Sequence, residues 1–197
     1  MKIQIENQQK RIKIDKRRIR SQINALLKLL DCANMEISIT FVDDAAIRQI
    51  NKQYLDKDRP TNVISFPLQE GEFSDINPEI LGDIVISVDT ASRDAAMGNL
   101  SFDEEVLFLI IHGLLHLRGY NHENTSKANT RKMKKKEKEL IRKPDVFLTL
   151  FTETTQFIRL HSRQCIAALV IFLLACAAGR PADQRPVLVG RAGAGRG

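Results

Sequence analysis

Apolar and polar positions alternate along several stretches of the chain, and this period of two predicts β-strands. Two such stretches are "KIQIEN" near the N-terminus and "EISITFVD" from Glu36, and the apolar-rich segment "GDIVISVD" from Gly82 is a third predicted strand. A fourth, shorter strand is predicted in "DKDRPTNVISFP", where a loop enters a segment bounded by Pro60 and Pro67. The pattern therefore predicts about four strands.

Between and after the strands, apolar residues recur every three or four positions, which is the period of an amphipathic helix. The predicted N-terminal residues of the first three helices are of types that cap helices: Asp15, Asp43 or Asp44, and Asp89 or Thr90. Ser101 and Glu104 have the spacing of a capping box and begin the apolar helix "DEEVLFLIIHGLLHLRG", which Gly119 is expected to end. A basic helix is predicted over "SKANTRKMKKKEKELIRK".

This order of elements predicts the α/β (α+β) class, with a single domain in which a mixed sheet of about four strands is covered by helices. Beyond Pro144 the composition changes to a 14-residue apolar run, "CIAALVIFLLACAA", and an end rich in Gly, Arg, Ala and Pro. The run is shorter than the ~20 residues that span a bilayer, and the Gly/Arg-rich end cannot form a core. We predict a domain over residues 1–143 and an atypical tail over residues 144–197 that is disordered or loosely attached.

The charge of the chain is positive, with 30 Lys and Arg against 24 Asp and Glu, a net charge of +6 and a pI near 9.3. This excess suits a partner that carries phosphates or an anionic membrane surface, and it is also compatible with a basic protein that binds neither. The basic runs "KRIKIDKRRIR" and "RKMKKKEKELIRK" are either solvated helix faces or contacts to an RNA backbone.

The three cysteines form no CxxC pair, and the N-terminus has no apolar run of the kind found in secretory signals. Scattered, unpaired cysteines are typical of a reducing compartment, where thiols stay free. The cytoplasm is therefore the predicted location.

Three of the four histidines lie within "HGLLHLRGYNH". In a helix His112 and His116 lie one turn apart on one face, and a turn at Gly119 would bring His122 to the same ion. Three imidazoles leave one tetrahedral position open for water, as in a catalytic zinc site. We expect one Zn²⁺ per chain at the end of the central apolar helix; the alternative is three structural histidines. The fourth, His161, lies in the tail and is interpreted as incidental.

The histidine spacing equals that of the metzincin proteases, HExxHxxGxxH, except at one position. Gly113 stands where those proteases have the glutamate that acts as general base. Glycine cannot accept a proton, so the sequence argues against a protease of this type while the metal-binding histidines remain.

The segment "HGLLHLRGYNH", together with "RPTNVISFP" and "LGDIVIS" in the expected order, resembles the signature of the YbeY family. The similarity covers about residues 1–143. This resemblance implies a zinc-dependent endoribonuclease that acts on single-stranded RNA in 16S rRNA 3′-end maturation and ribosome quality control. It also implies the small ribosomal subunit and ribosome-associated proteins as partners, and no membrane partner is expected.

Phosphodiester cleavage also needs a cation on the non-bridging oxygens. Arg59 is the candidate, because a guanidinium matches phosphate geometry and this residue lies in a segment that resembles the family's; the alternative is a surface arginine before a proline. Asp83 is a candidate hydrogen-bond partner for a ligand histidine, or alternatively a turn residue at the start of its strand.

Two other functions stay open at this point. One is a ribosome-assembly factor that binds RNA and protein around a mainly structural metal. The other is a metal-dependent hydrolase of another substrate. Within the favoured function, either a metal-bound water or the 2′-hydroxyl of the RNA could be the attacking group.

Overall fold

The computed structural model describes residues 2–69, 77–120 and 126–147. Its strands are β1 (Ile3–Asn7), β2 (Glu36–Val42), β3 (Val63–Pro67) and β4 (Ile80–Ser87). They form one sheet in the order β1-β2-β4-β3, in which β1, β2 and β4 are parallel and β3 is antiparallel to β4. The predicted mixed sheet of four strands is confirmed.

The helices of the described ranges lie between and after the strands. They are α1 (Lys16–Leu29), α2 (Asp44–Leu55), α3 (Val88–Gly98), α4 (Phe102–Leu117), α5 (Lys127–Ile141) and the short α6 (Pro144–Phe147). Strands covered by helices within one domain confirm the predicted α+β class.

Side-chain caps begin the helices largely where the sequence places them. The Asp15 carboxylate accepts hydrogen bonds from two backbone N–H groups of α1, and Asp43, rather than Asp44, accepts one from the first turn of α2. Ser101 and Glu104 make both bonds of the predicted capping box. These bonds satisfy N–H groups that the first turn of a helix leaves without a backbone partner.

The junction between β4 and α3 differs from the prediction. Ser87 is both the last residue of β4 and the N-cap of α3, since its side-chain oxygen accepts a hydrogen bond from the Thr90 N–H. The helix thus begins at Val88, before the predicted Asp89 or Thr90. The prediction was wrong because the strand passes into the helix without a loop, which leaves no polar linker in the sequence.

The sheet separates two apolar clusters. On one face α1 and α4 pack against strand residues that include Ile39 and Ile84, both fully buried. On the other face a smaller cluster forms beneath α2, around Ile47 and Val85. Ten of the 16 residues of α4 are buried, so this helix is the central one, as an apolar helix must be.

The described part of the chain ends in α6, which packs against α1 and α5. Its Val146 is fully buried in the larger cluster. The predicted division at residues 143 and 144 stays a prediction, because residues 148–197, which include the apolar run, lie outside the described residues. Among the helices that are described, none has the length and apolar character needed to cross a membrane.

Candidate metal centre

The C-terminal end of α4 is closed by a backbone motif that depends on Gly119. Gly119 has φ +75°, and its N–H donates to the His116 carbonyl at 2.9 Å. The Tyr120 N–H donates to the Leu115 carbonyl, also at 2.9 Å. These two bonds constitute a Schellman motif, whose left-handed residue favours glycine. The prediction that Gly119 ends the helix is confirmed, and His116 is held within its last turn.

His112 and His116 face each other across one turn of α4. Their Nε2 atoms are 3.2 Å apart, and their ring centroids are 4.8 Å apart with the planes at 72°. Two nitrogen ligands at ~2.05 Å from a tetrahedral zinc ion are separated by about 3.3 Å. The two imidazoles therefore already have the separation that ligands of one ion require, and the donor set fits zinc.

Glu137 on α5 fixes the orientation of His112. Its Oε1 atom lies 2.8 Å from His112 Nδ1. The Glu137 side chain is 12% exposed and the His112 side chain is 21% exposed. When Nδ1–H donates to the carboxylate, the lone pair of Nε2 points toward His116. A carboxylate on the far nitrogen of a histidine is the usual outer partner of a metal ligand.

Sequence reasoning missed Glu137. A signal exists, because Glu137 shares one face of α5 with Met133 and Leu140, both buried. A carboxylate on an apolar helix face needs a partner within the protein.

The predicted third ligand, His122, lies outside the described residues, as does His161. Within residues 2–69, 77–120 and 126–147, no three His, Cys, Asp or Glu side chains are grouped so that they could hold a metal ion. The complete three-histidine site therefore stays a prediction.

Gly113, between the two histidines, faces the sheet. A Cβ atom built on it would lie 2.8 Å from Ile84 Cδ1 and 3.0 Å from Ser65 Oγ. The position therefore has no room for a glutamate unless Ile84 or α4 shifts. This packing agrees with the sequence-based argument against a metzincin-type protease.

The sequence pattern of the family described as Endoribonuclease YbeY matches residues 4–145. The chain belongs to this family. It is 61% identical over 140 residues to Endoribonuclease YbeY of Syntrophus aciditrophicus, covering 71% of this chain and 88% of that protein. It is 46% identical over 140 residues to Endoribonuclease YbeY of Geobacter sulfurreducens, covering 71% and 93%.

A solved structure shares the fold of this YbeY-family chain. The solution structure of TM1509 from Thermotoga maritima superposes with a TM-score of 0.52 at 25% sequence identity, covering 82% of this chain and 97% of that one. The family match and the named relatives confirm the resemblance to the YbeY family, and the solved structure confirms the fold.

Asp83 lies on the other face of β4 from the histidines. Because side chains alternate along a strand, Asp83 shares the face of Val85, which packs beneath α2, and it pairs across the sheet with Phe66. The neighbouring Ile84 points to Gly113 of α4. The observed partner of His112 is Glu137, and this placement gives no support to the predicted role of Asp83.

Arg59 lies in the loop between α2 and β3 and is exposed. Its backbone carbonyl accepts a 2.7 Å hydrogen bond from the side chain of Asn51, a residue of α2 that is 2% exposed. The bond ties Arg59 to the helix that covers the sheet face opposite to α4. Its role toward phosphate stays a prediction, since the described contacts do not join it to the histidines.

A buried carboxyl group lies in the N-terminal half of α4. Glu105 is 7% exposed, and burial raises its pKa, with a further contribution from the negative charge of Asp94. Glu105 precedes His112 by seven residues, about two turns of α4, and no described contact joins the two side chains, so its consequence is for stability.

Proposed function

We propose that the chain is a metal-dependent endoribonuclease that cleaves RNA phosphodiester bonds in rRNA maturation. The family match over residues 4–145 and the relatives named Endoribonuclease YbeY support the activity. The observation in this structure that carries the proposal is the pair His112–His116, with Nε2 atoms 3.2 Å apart and Glu137 behind His112.

The proposed cofactor is one Zn²⁺ per chain, held by His112, His116 and His122, with the fourth position left to water. Bound zinc would polarise a phosphoryl oxygen and lower the pKa of a coordinated water. The protein contributes orientation: Glu137 sets the His112 ring, and the Gly119 turn redirects the chain after α4 toward the segment that contains His122.

The proposed substrate is single-stranded RNA at the 3′ end of 16S rRNA, within the small ribosomal subunit. The net charge of +6 favours a polyanionic partner. Arg59 is the proposed cation for the non-bridging phosphate oxygens, and its exposed position leaves its side chain accessible to a large substrate. The three cysteines are scattered with no CxxC pair, and Cys32, the one that the structure describes, is free and buried; both features support a cytoplasmic location.

The proposal is tested by cleavage of end-labelled single-stranded RNA with the purified chain. Labels at the 5′ and the 3′ end in separate reactions distinguish internal cuts from trimming. We expect internal cuts that a chelator suppresses, and we expect His116→Ala to lose cleavage because one of the paired imidazoles is removed.

His161→Ala is the matched control, since it removes the histidine that is not assigned to the site. Circular dichroism of both variants verifies that the fold is kept. A folded His116→Ala variant that cleaves RNA at the wild-type rate would overturn the proposal.

A further inference from the structure

Positive charge is dense in two runs of the chain: residues 10–20, with seven Lys and Arg against one Asp, and helix α5. Residues 127–143, which comprise α5 and the two residues after it, contain nine Lys and Arg against two Asp and Glu, a net charge of +7. The remaining 180 residues contain 21 against 22, a net charge of −1. Outside this segment the charge of the N-terminal run is balanced by acidic residues elsewhere in the chain, so the net positive charge of the protein equals the excess in α5 and the two residues after it, less one.

Within α5, five cations recur at intervals of three or four residues and so lie along one face of the helix. All five are exposed, and we call them the α5 stripe: Arg131, Lys134, Lys135, Lys138 and Arg142. The buried residues Met133 and Leu140 lie on the opposite face. The stripe thus points directly away from the apolar core.

Other cations of α5 have partners within the protein. Lys136 forms a 3.0 Å ion pair with Glu139, and the Lys132 ammonium group lies 5.4 Å from the centre of the Tyr120 ring. The five stripe residues make no ion pair with any part of the chain that the structure describes. Like charges at these spacings destabilise a helix, so the stripe does not serve the fold.

We infer that the α5 stripe binds backbone phosphates of the RNA that flank the cleavage site. The identity of this polyanion rests on the proposed function. From Arg131 to Arg142 the stripe spans about 16 Å of helix, long enough to meet several successive phosphates. Glu137 of the same helix holds His112, so one rigid element carries both the stripe and the orienting contact of the candidate site. Such contacts position RNA without reading its sequence.

Two variants with the same net charge test this inference. The stripe variant removes four stripe cations: Arg131→Gln, Lys134→Gln, Lys135→Gln and Lys138→Gln. The control variant removes four exposed cations from the N-terminal basic run: Lys10→Gln, Lys13→Gln, Lys16→Gln and Arg17→Gln. Each variant has a net charge of +2 in place of +6. Glutamine keeps a helix propensity close to that of lysine and arginine.

The measurement is the affinity for a fluorescent RNA hairpin with a single-stranded 3′ extension, determined over a range of salt concentrations. The slope of the logarithm of the association constant against the logarithm of the salt concentration is negative, and each lost phosphate contact reduces its magnitude by roughly 0.7 to 0.9. The magnitude of the slope should therefore be about 3 units smaller for the stripe variant than for the wild type. The control variant should lose less than about 1 unit. Replacing Lys134, Lys135 and Lys138 by arginine should keep the wild-type slope, because the charge remains.

Equal slopes for the stripe and control variants would overturn the inference. So would stripe-dependent binding to phosphatidylserine vesicles without an effect on RNA, since the surface would then serve a membrane. Cleavage measured on the same preparations separates this test from that of the proposed function. If the stripe variant binds RNA less tightly than the wild type but the wild-type chain does not cleave RNA, the inference about the stripe is supported and the proposed function is contradicted. If the wild-type chain cleaves RNA but the stripe and control variants have equal slopes, the proposed function is supported and the inference about the stripe is contradicted.

Discussion

Substitution of Gly113 by alanine tests how closely α4 packs on the sheet beside the histidine pair. In a helix interior alanine is favoured over glycine by roughly 1 kcal/mol. Here the added Cβ would lie 2.8 and 3.1 Å from two carbons of Ile84 and 3.0 Å from Ser65 Oγ. Favourable carbon–carbon contacts are at about 3.5 to 4.0 Å.

The expected result for Gly113→Ala is a net loss of stability. Ile84 is fully buried and cannot move into solvent, and forcing an extra methyl group into a packed core costs about 1–3 kcal/mol. After subtraction of the helix propensity, the free energy of unfolding should fall by ~1 kcal/mol.

Gly98, the last residue of α3, provides the matched control. A Cβ there meets only Leu100, at 3.6 Å, which is an ordinary contact. Gly98→Ala should therefore raise the free energy of unfolding by about 0.5–1 kcal/mol. Ile84→Val removes the atom closest to the new Cβ, so the double variant with Gly113→Ala should be more stable than the sum of the single effects predicts, by about 1 kcal/mol.

Urea unfolding followed by circular dichroism gives these free energies, provided that the slope with denaturant is the same for all variants. If Gly113→Ala were stabilised as much as Gly98→Ala, α4 would have room over Ile84. The packing reason for the glycine would then be wrong.

Three further results follow from the described side chains. Glu137→Gln should weaken zinc binding about 10–100-fold in competition with a chelator, because the carboxylate that orients His112 is lost; unchanged affinity would remove Glu137 from the site. Glu105→Gln should raise the melting temperature at about pH 8 but not at about pH 4, because the raised pKa of this buried carboxyl makes its charged form destabilising only above its ordinary pKa; an equal effect at both pH values would contradict this sign. Arg59→Glu should lose cleavage and keep zinc, whereas a fully active variant would exclude Arg59 from the mechanism.

Much of the fold is predictable from local sequence. Strand alternation, the Ser101–Glu104 capping box and the Gly119 helix end depend on residues close together in the chain, and all three are confirmed. The start of α3 was wrong because Ser87 serves both as strand residue and as cap.

The parts of the site that could not be predicted depend on tertiary packing. Glu137 follows His112 by 25 residues in sequence, and it reaches His112 because α5 packs against α4. Asp83 lies within the family's strand segment "LGDIVIS", but the pleat of β4 turns its side chain to the face of the sheet away from the histidines. Local spacing identified the two helical histidines, whereas their partners required knowledge of which helices and faces meet.

The most direct test of a metal-dependent endoribonuclease is a zinc titration of the chelator-stripped chain, followed by cleavage of single-stranded RNA. We predict that cleavage is absent without metal and rises to a break at about one zinc per chain. The variant in which His112, His116 and His122 are all replaced by alanine should not respond. Full cleavage by the stripped chain, or the same titration curve for the triple variant, would contradict the account.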